Sequence, residues 1–261
     1  MIPRTLVATL VATVLAFAQA SAAAPSNLQA ITDRGRAVYD YDQAAGHATD
    51  AVLGIAPQDA PITMYVGHKT QAGLWVFAFG GLSKDGTTFD VLYEGTQSAT
   101  DPLKYDVASF GLKPRHDAGA SLAMATAAIA ARAAFNGEKR AYNIAVLPRT
   151  DGQIYVYVYP GTTSNDSYPL GGDERFLYSA DGKTQIEATP LHKSIIEMPL
   201  GSSAGATAPA NMNNEVLFDV PQDTDVLMAM TTKLPGYIVA RGHMYLVNID
   251  GSIVDKGLAA H

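Results

Sequence analysis

The sequence predicts an α+β fold, in which an N-terminal helix and an antiparallel sheet meander precede a helix plus mixed-sheet unit. Short runs of β-branched and aromatic residues, typical of strands, recur along most of the chain. Asp-Gly pairs, which favour tight hairpin turns, adjoin several of these runs. The regular strand–helix alternation that is typical of parallel sheets is missing from most of the sequence. The Asp-Gly pairs begin at Asp85, Asp151, Asp181 and Asp250.

Residues 1–22 have the three-part pattern of a secretory signal peptide. Arg4 precedes an apolar run over residues 6–17, and two Ala-x-Ala sites follow that run. The run is shorter than the about 20 apolar residues that a membrane anchor needs. We therefore expect cleavage before Ser21 or Ala23, no membrane span in the mature form, and a periplasmic or secreted location.

The first predicted domain covers residues 23–110 and begins with a helix over residues 27–54. Its apolar residues recur close to a heptad spacing, although two glycines interrupt its helical composition. The apolar stripe comprises Leu28, Ile31, Val38, Ala45 and Val52. Strands are predicted at residues 62–66, 74–79 and 88–93. We place the domain boundary within residues 101–117, where prolines and glycine cluster.

The second predicted domain covers residues 111–261 and begins with an alanine-rich helix over residues 118–135. This segment consists of strong helix formers and ends at Asn136-Gly137, a typical helix stop. Strands follow at residues 142–147 and 154–159. The second of these strands alternates aliphatic residues with three tyrosines. The tyrosine face is either a ligand platform or a surface covered by another element, and common sheet composition favours the covered surface.

The rest of the second domain mixes loops, strands and one helix. Its composition predicts a loop over residues 160–173 and a flexible loop over residues 199–214. Strands are predicted on either side of Asp181-Gly182 and at residues 191–198, 215–218, 237–240 and 244–249, and a helix at residues 222–233.

Composition excludes several classes of function. The formal net charge is −7 and no basic run occurs, which argues against nucleic acid or anionic lipid as a partner. The chain has no cysteine, so disulfides, thiolate catalysis and cysteine-bound zinc are excluded. The six histidines show no metal-binding spacing. They are His47, His68, His116, His192, His243 and His261.

We therefore predict no metal ligands and no cofactor. A chelator is then expected to leave the melting temperature unchanged. Calcium bound by oxygen ligands near Asp166 and Asp173 is the alternative that composition leaves open.

Residues 201–205 match the Gly-x-Ser-x-Gly motif of serine hydrolases, with Ser203 as the candidate nucleophile. Acids at Asp219 and Asp225 and then His243 follow in the order that α/β-hydrolases use. That motif requires a strand before the serine and a helix directly after it. Here a segment of small residues with a proline follows, so the match is expected to be a loop without catalytic function.

Residues 213–225 are similar to the metal-binding motif of JAMM/MPN-type metallopeptidases. In that family a His-x-His pair ends a strand and a Ser-x-x-Asp sequence opens the next helix. Asn213 and Glu215 occupy the histidine positions here, Gln222 the serine position and Asp225 the aspartate position. Without the two imidazoles, zinc would lose two of its three protein ligands. The resemblance, which covers about the second half of the chain, therefore implies a relative without its metal. A plain strand–loop–helix with acids at the helix N-terminus is the other interpretation.

The sequence thus favours an exported soluble domain with a non-enzymatic binding function, whose partner is an unidentified envelope component or protein. The alternatives are an inactive, metal-free metallopeptidase-like domain and a serine hydrolase that uses Ser203. No catalytic residue is assigned, and no residue is assigned to binding.

Overall fold

The computed structural model describes residues 25–111, 113–200 and 211–259 and has the predicted α+β architecture. The three helices in these ranges are α1 (Pro25–Leu53), α2 (Ala120–Ala134) and α3 (Asp223–Thr232). The strands are β1 (Met64–Lys69), β2 (Trp75–Leu82), β3 (Phe89–Gln97), β4 (Tyr105–Ser109), β5 (Arg115–Asp117), β6 (Tyr142–Pro148), β7 (Ile154–Pro160), β8 (Ser167–Gly171), β9 (Glu174–Tyr178), β10 (Gln185–Pro190), β11 (Ile195–Pro199), β12 (Asn211–Glu215), β13 (Gly236–Ala240), β14 (His243–Val247) and β15 (Ile253–Leu258). This order of helices and strands confirms the predicted fold class.

Helix α1 packs along the molecule through the predicted apolar stripe. The stripe residues Ile31, Val38, Ala45 and Val52 are all buried. Gly35 lies where α1 crosses α3, and a Cβ atom there would approach the carbonyl oxygen of Asp223 to 2.6 Å. The glycine that interrupts the helical composition therefore permits the close contact between the two helices. None of the helices within the described ranges has the length and apolar character needed to cross a membrane.

The first sheet is an antiparallel meander in the order β1-β2-β3-β4, and β5 also pairs with β3. The turn between β2 and β3 contains Gly86 with a φ of 70°, which suits the predicted Asp-Gly turn. Strands β4 and β5 were not predicted. They contribute mostly exposed or half-buried residues, so they have little of the apolar composition by which strands are recognised.

The second sheet has the antiparallel order β10-β9-β7-β6, and both faces of its β7 strand are covered. Tyr157 and Tyr159 pack in a cluster with residues of α1. Val156 and Val158 face the other side and pack with residues of α2. The interpretation of the tyrosine face as a covered surface is therefore confirmed.

The two sheets contribute to the same hydrophobic clusters. One cluster joins Phe77 and Tyr93 of the first sheet to Ala145 and Tyr157 of the second. A second cluster, centred on α2, likewise contains residues of both sheets. The domain boundary predicted near residue 110 therefore does not coincide with a break in the core.

A third, two-stranded sheet pairs β8 with β11. The prediction of a loop over residues 160–173 was wrong in part, because β8 lies within it. Tyr168 and Leu170 of β8 are buried against α3 residue Met228. The small and polar residues around β8 give its sequence the composition of a loop. Tertiary packing stabilises this short strand.

The fourth sheet has the order β12-β13-β14-β15, and only the β12–β13 pair is parallel. Helix α3 connects these two strands, so this unit is the predicted mixed sheet. The strand predicted at residues 215–218 was wrong in position, because β12 ends at Glu215. The loop predicted over residues 199–214 has its last four residues in β12, while residues 201–210, including Ser203, lie outside the described residues. Strand β15 was not predicted.

Candidate metal centre

Four titratable side chains from four separate segments meet below the N-terminus of α3. Asp173 lies between β8 and β9, and His192 follows β10. Glu215 ends β12, and Asp225 lies in the first turn of α3. All four residues are buried, with relative exposures of 8% for His192, 6% for Glu215, 3% for Asp173 and 0% for Asp225. Ionisable groups are seldom buried to this extent unless they are paired or bind a metal.

His192, Glu215 and Asp225 direct one polar atom each toward a common point, and we call them the three-residue cluster. The Nε2 atom of His192 lies 3.5 Å from Oε2 of Glu215 and 3.4 Å from Oδ1 of Asp225. All three ligand atoms lie within 4.8 Å of one another. Each is buried without a hydrogen-bond partner. Buried polar atoms are normally hydrogen-bonded, so three that face one another indicate a site for an ion or a water molecule.

The other polar atom of each side chain is held in place. Nδ1 of His192 lies 2.8 Å from Oδ1 of Asp173, which fixes the ring and leaves Nε2 free to act as a ligand. Oε1 of Glu215 accepts hydrogen bonds from the backbone N–H groups of Leu217 at 2.7 Å and Phe218 at 3.3 Å. Oδ2 of Asp225 accepts the backbone N–H of Gln222 at 2.7 Å, as the acid of a helix capping box does. The free atoms are therefore oriented by the bound ones.

The electrostatics of the site are set by burial and by three carboxyl groups around one imidazole. Burial acts to lower the pKa of His192, but the carboxylates of Asp173 and Asp225 outweigh it and raise that pKa well above its ordinary value. Burial raises the pKa of Glu215, against the opposing effect of the Leu217 N–H group. The neighbouring carboxyl groups therefore favour a protonated His192, and burial favours the neutral form of Glu215.

The two separations that start from His192 suit a four-coordinate metal ion. Bonds of about 2.0–2.2 Å in a tetrahedron place neighbouring ligand atoms about 3.3–3.6 Å apart. The two distances from His192 Nε2, 3.5 Å and 3.4 Å, fall within this range. They are too long for good hydrogen bonds. The donor set of one imidazole nitrogen and two carboxylate oxygens therefore fits a divalent metal ion.

Two cavities adjoin the three-residue cluster. The smaller, of about 110 Å³, is lined by residues 170–171, 192–194, 196 and 213–216, and we call it the polar cleft. The larger, of about 840 Å³, is lined in part by His192, Asp173, Phe135, Tyr142 and Phe218. His192 lies at the wall of both cavities. The cluster is thus buried, with His192 in the wall of both cavities and Glu215 in the wall of the smaller one.

A second buried charge network lies beside the cluster in the first turn of α3. Asp223 is fully buried and accepts hydrogen bonds from Arg34 of α1 and Arg175 of β9. The hydroxyl group of Tyr157 donates to the same carboxylate at 2.9 Å. This network fixes the first turn of α3 to α1 and to the second sheet. It therefore also fixes the position of Asp225, two residues further on.

The sequence comparison singled out two of the three cluster residues and missed the third. Of the four positions in the metallopeptidase-like comparison, the structure brings Glu215 and Asp225 together and places Asn213 at the polar cleft. Gln222 is the residue before α3. The prediction of no metal ligands rested on histidine spacing, which does not relate His192 to Glu215 and Asp225 because they lie far away in sequence. No sequence signal links Asp173 to His192.

The remaining candidates stay apart from the cluster. His243, the last member of the proposed serine-hydrolase order, lies 3.6 Å from Asp255 of β15. His116 faces Asp90 at the surface. Asp166 and Asp173 are the residues near which calcium binding was considered. Within the described residues, they do not belong to one group of side chains that could hold a metal ion. Ser203 lies outside those residues.

The fold and the cluster together define an α+β protein with a buried group, His192, Glu215 and Asp225, that could hold a metal ion. No protein-family model, curated protein or solved structure matches the chain.

Proposed function

We propose that this chain is an exported protein that binds one divalent transition-metal ion, preferably Zn²⁺, through His192, Glu215 and Asp225. One observation carries the proposal. Each of these side chains uses one polar atom in a fixed contact and leaves the other buried, unpaired and directed at the same point.

The charge of the site supports a cation. A divalent ion would bring positive charge to a site with three carboxyl groups, and its binding requires Nε2 of His192 to be deprotonated. Asp223, the next buried carboxylate along α3, already has two arginine partners. The buried carboxyl groups without an arginine partner are therefore those around His192.

The donor set favours zinc over the alkaline-earth ions. Calcium takes six to eight oxygen ligands, and magnesium requires octahedral oxygen coordination. An imidazole nitrogen is a good ligand for zinc and its neighbours in the first transition row. The carboxylate of Asp173 at Nδ1 of His192 is the outer partner that zinc-binding histidines commonly have.

Export is supported by the signal-peptide pattern of residues 1–22. A stable intracellular pool of the full-length chain would contradict this part of the proposal. Intact-mass measurement on cell fractions tests it, with a mature chain that begins at Ser21 or Ala23 as the expected result.

The metal site is tested by thermal unfolding and calorimetry on the purified chain after chelation. A ligand at 100 times its Kd stabilises a protein by about 2.7 kcal/mol, and Zn²⁺ is then expected to raise Tm by about 5–10 °C. Titration should give one ion per chain. Glu215→Gln and Asp225→Asn keep the size of each side chain and should abolish both effects.

His116→Ala is the matched control, because His116 also contacts an aspartate but lies at the surface. It should bind Zn²⁺ as the unmodified chain does. Equal zinc binding by the Asp225→Asn variant, or no binding by the unmodified chain, would show that the cluster is a purely structural network of buried charges.

A further inference from the structure

The polar cleft reaches two of the three residues that would hold the ion. His192 and Glu215 both lie in its wall, together with Lys193, Ser194 and Asn213. Its volume of about 110 Å³ is enough for a few water molecules or one small ion.

Asn213 faces the same side of β12 as Glu215. The two residues are separated by one position on the strand, and their neighbours on β13 are the buried Ile238 and Ala240. The amide of Asn213 therefore lies on the face of β12 that carries a candidate ligand. Within the described residues, the side chains that could hold a metal ion together are those of His192, Glu215 and Asp225. A zinc ion with three protein ligands keeps one coordination position for an exogenous ligand.

Beside the acidic Glu215, the cleft has one cationic side chain and two groups that can donate hydrogen bonds. Lys193 is exposed. Lys193 adjoins His192 directly in sequence and lines the same cleft. Ser194 and Asn213 add an uncharged hydroxyl and an amide, both of which can donate hydrogen bonds to an oxyanion.

We propose that the metal ion binds a small oxyanion, a carboxylate or phosphate group, in the polar cleft, where Lys193 contacts the anion. This inference rests on the proposed metal site. One anion oxygen occupies the open coordination position of the ion, and the amino group of Lys193 offsets the remaining negative charge. Ser194 and Asn213 hold the other oxygens by hydrogen bonds.

Cobalt spectroscopy tests the metal and the anion separately. Co²⁺ replaces zinc readily in such ligand sets, and its visible absorption responds to a change of ligand. The full chain is loaded with Co²⁺ in a non-coordinating buffer, and acetate and inorganic phosphate are titrated in separate arms. We expect a saturable spectral change in at least one arm, and the arm that responds distinguishes a carboxylate from a phosphate ligand.

Lys193→Met should raise the Kd of the anion about tenfold and leave the Co²⁺ stoichiometry unchanged, because a charge-assisted contact is lost. Lys183→Met is the matched control, since Lys183 is an exposed lysine in the turn between β9 and β10. It should leave both quantities unchanged. Co²⁺ binding with no response to either anion, or an equal anion Kd in the Lys193→Met variant, would overturn the anion site and leave the metal site standing. Failure to bind Co²⁺ at all would overturn the metal site itself.

Discussion

Asp223→Asn removes the charge from a fully buried carboxylate that three other side chains contact, while keeping the size of the side chain. The guanidinium of Arg34 contacts both carboxylate oxygens at 2.9–3.1 Å, and Arg175 contacts Oδ2 at 2.7 Å. Tyr157 donates to the same oxygen at 2.9 Å. The asparagine leaves two guanidinium groups without their counter-charge, and its NH₂ group faces donors that need an acceptor.

The expected loss is about 3 kcal/mol in the free energy of unfolding. Removing one partner of a buried ion pair costs about 3–5 kcal/mol. The lower end applies here because the side chains of Arg34 and Arg175 are 26% and 14% exposed and can recruit water after the substitution. For a urea m-value of about 2–3 kcal/mol/M, the midpoint should fall by about 1–1.5 M.

Urea unfolding followed by circular dichroism measures this loss. Asp219→Asn is the control, because Asp219 also pairs with an arginine but is 60% exposed on its side chain. It should change stability by less than about 0.5 kcal/mol. A loss below about 1 kcal/mol in the Asp223→Asn variant would refute the argument that this network fixes α3 to α1 and to the second sheet.

Three further substitutions test two turns and a half-buried acid. Gly182→Ala forces a Cβ atom onto the carbonyl oxygen of Ala123 at a φ of +72°, so it should destabilise the chain by more than about 3 kcal/mol. Gly86→Ala has a similar φ of +70° but open space, and should cost only about 1–2 kcal/mol; equal losses in thermal unfolding would refute the helix contact. Burial raises the pKa of Asp42 above 3.8, so its contribution to stability is present below that pH and falls as the pH rises through the folded-state value. The stability of Asp42→Asn relative to the unmodified chain should therefore increase from pH 4 to pH 7, and a constant difference would contradict the shift.

Elements with a strong apolar pattern were predictable from sequence. The heptad-like stripe of α1 and the alternating β7 strand encode their burial directly, and both are confirmed. Strands β4, β8 and β12 have no such pattern, because β4 is exposed and the other two pack within small neighbouring sheets. The Asn-rich β12 has low intrinsic strand propensity. It is formed because α3 brings it alongside β13, which sequence periodicity does not reveal.

The candidate site shows a different limit of sequence reasoning. Glu215 and Asp225 are ten positions apart on a strand and the following helix, so a comparison of local motifs could draw attention to both. His192 lies in the connection between β10 of the second sheet and β11 of the third, and only the folded arrangement brings it to Glu215 and Asp225. Its ligand atom is made available by Asp173, which lies on the far side of two strands in sequence. A ligand set of this kind depends on the relative positions of four segments. Histidine spacing alone therefore led to the prediction of no metal site, whereas the three unpaired, converging atoms argue for one.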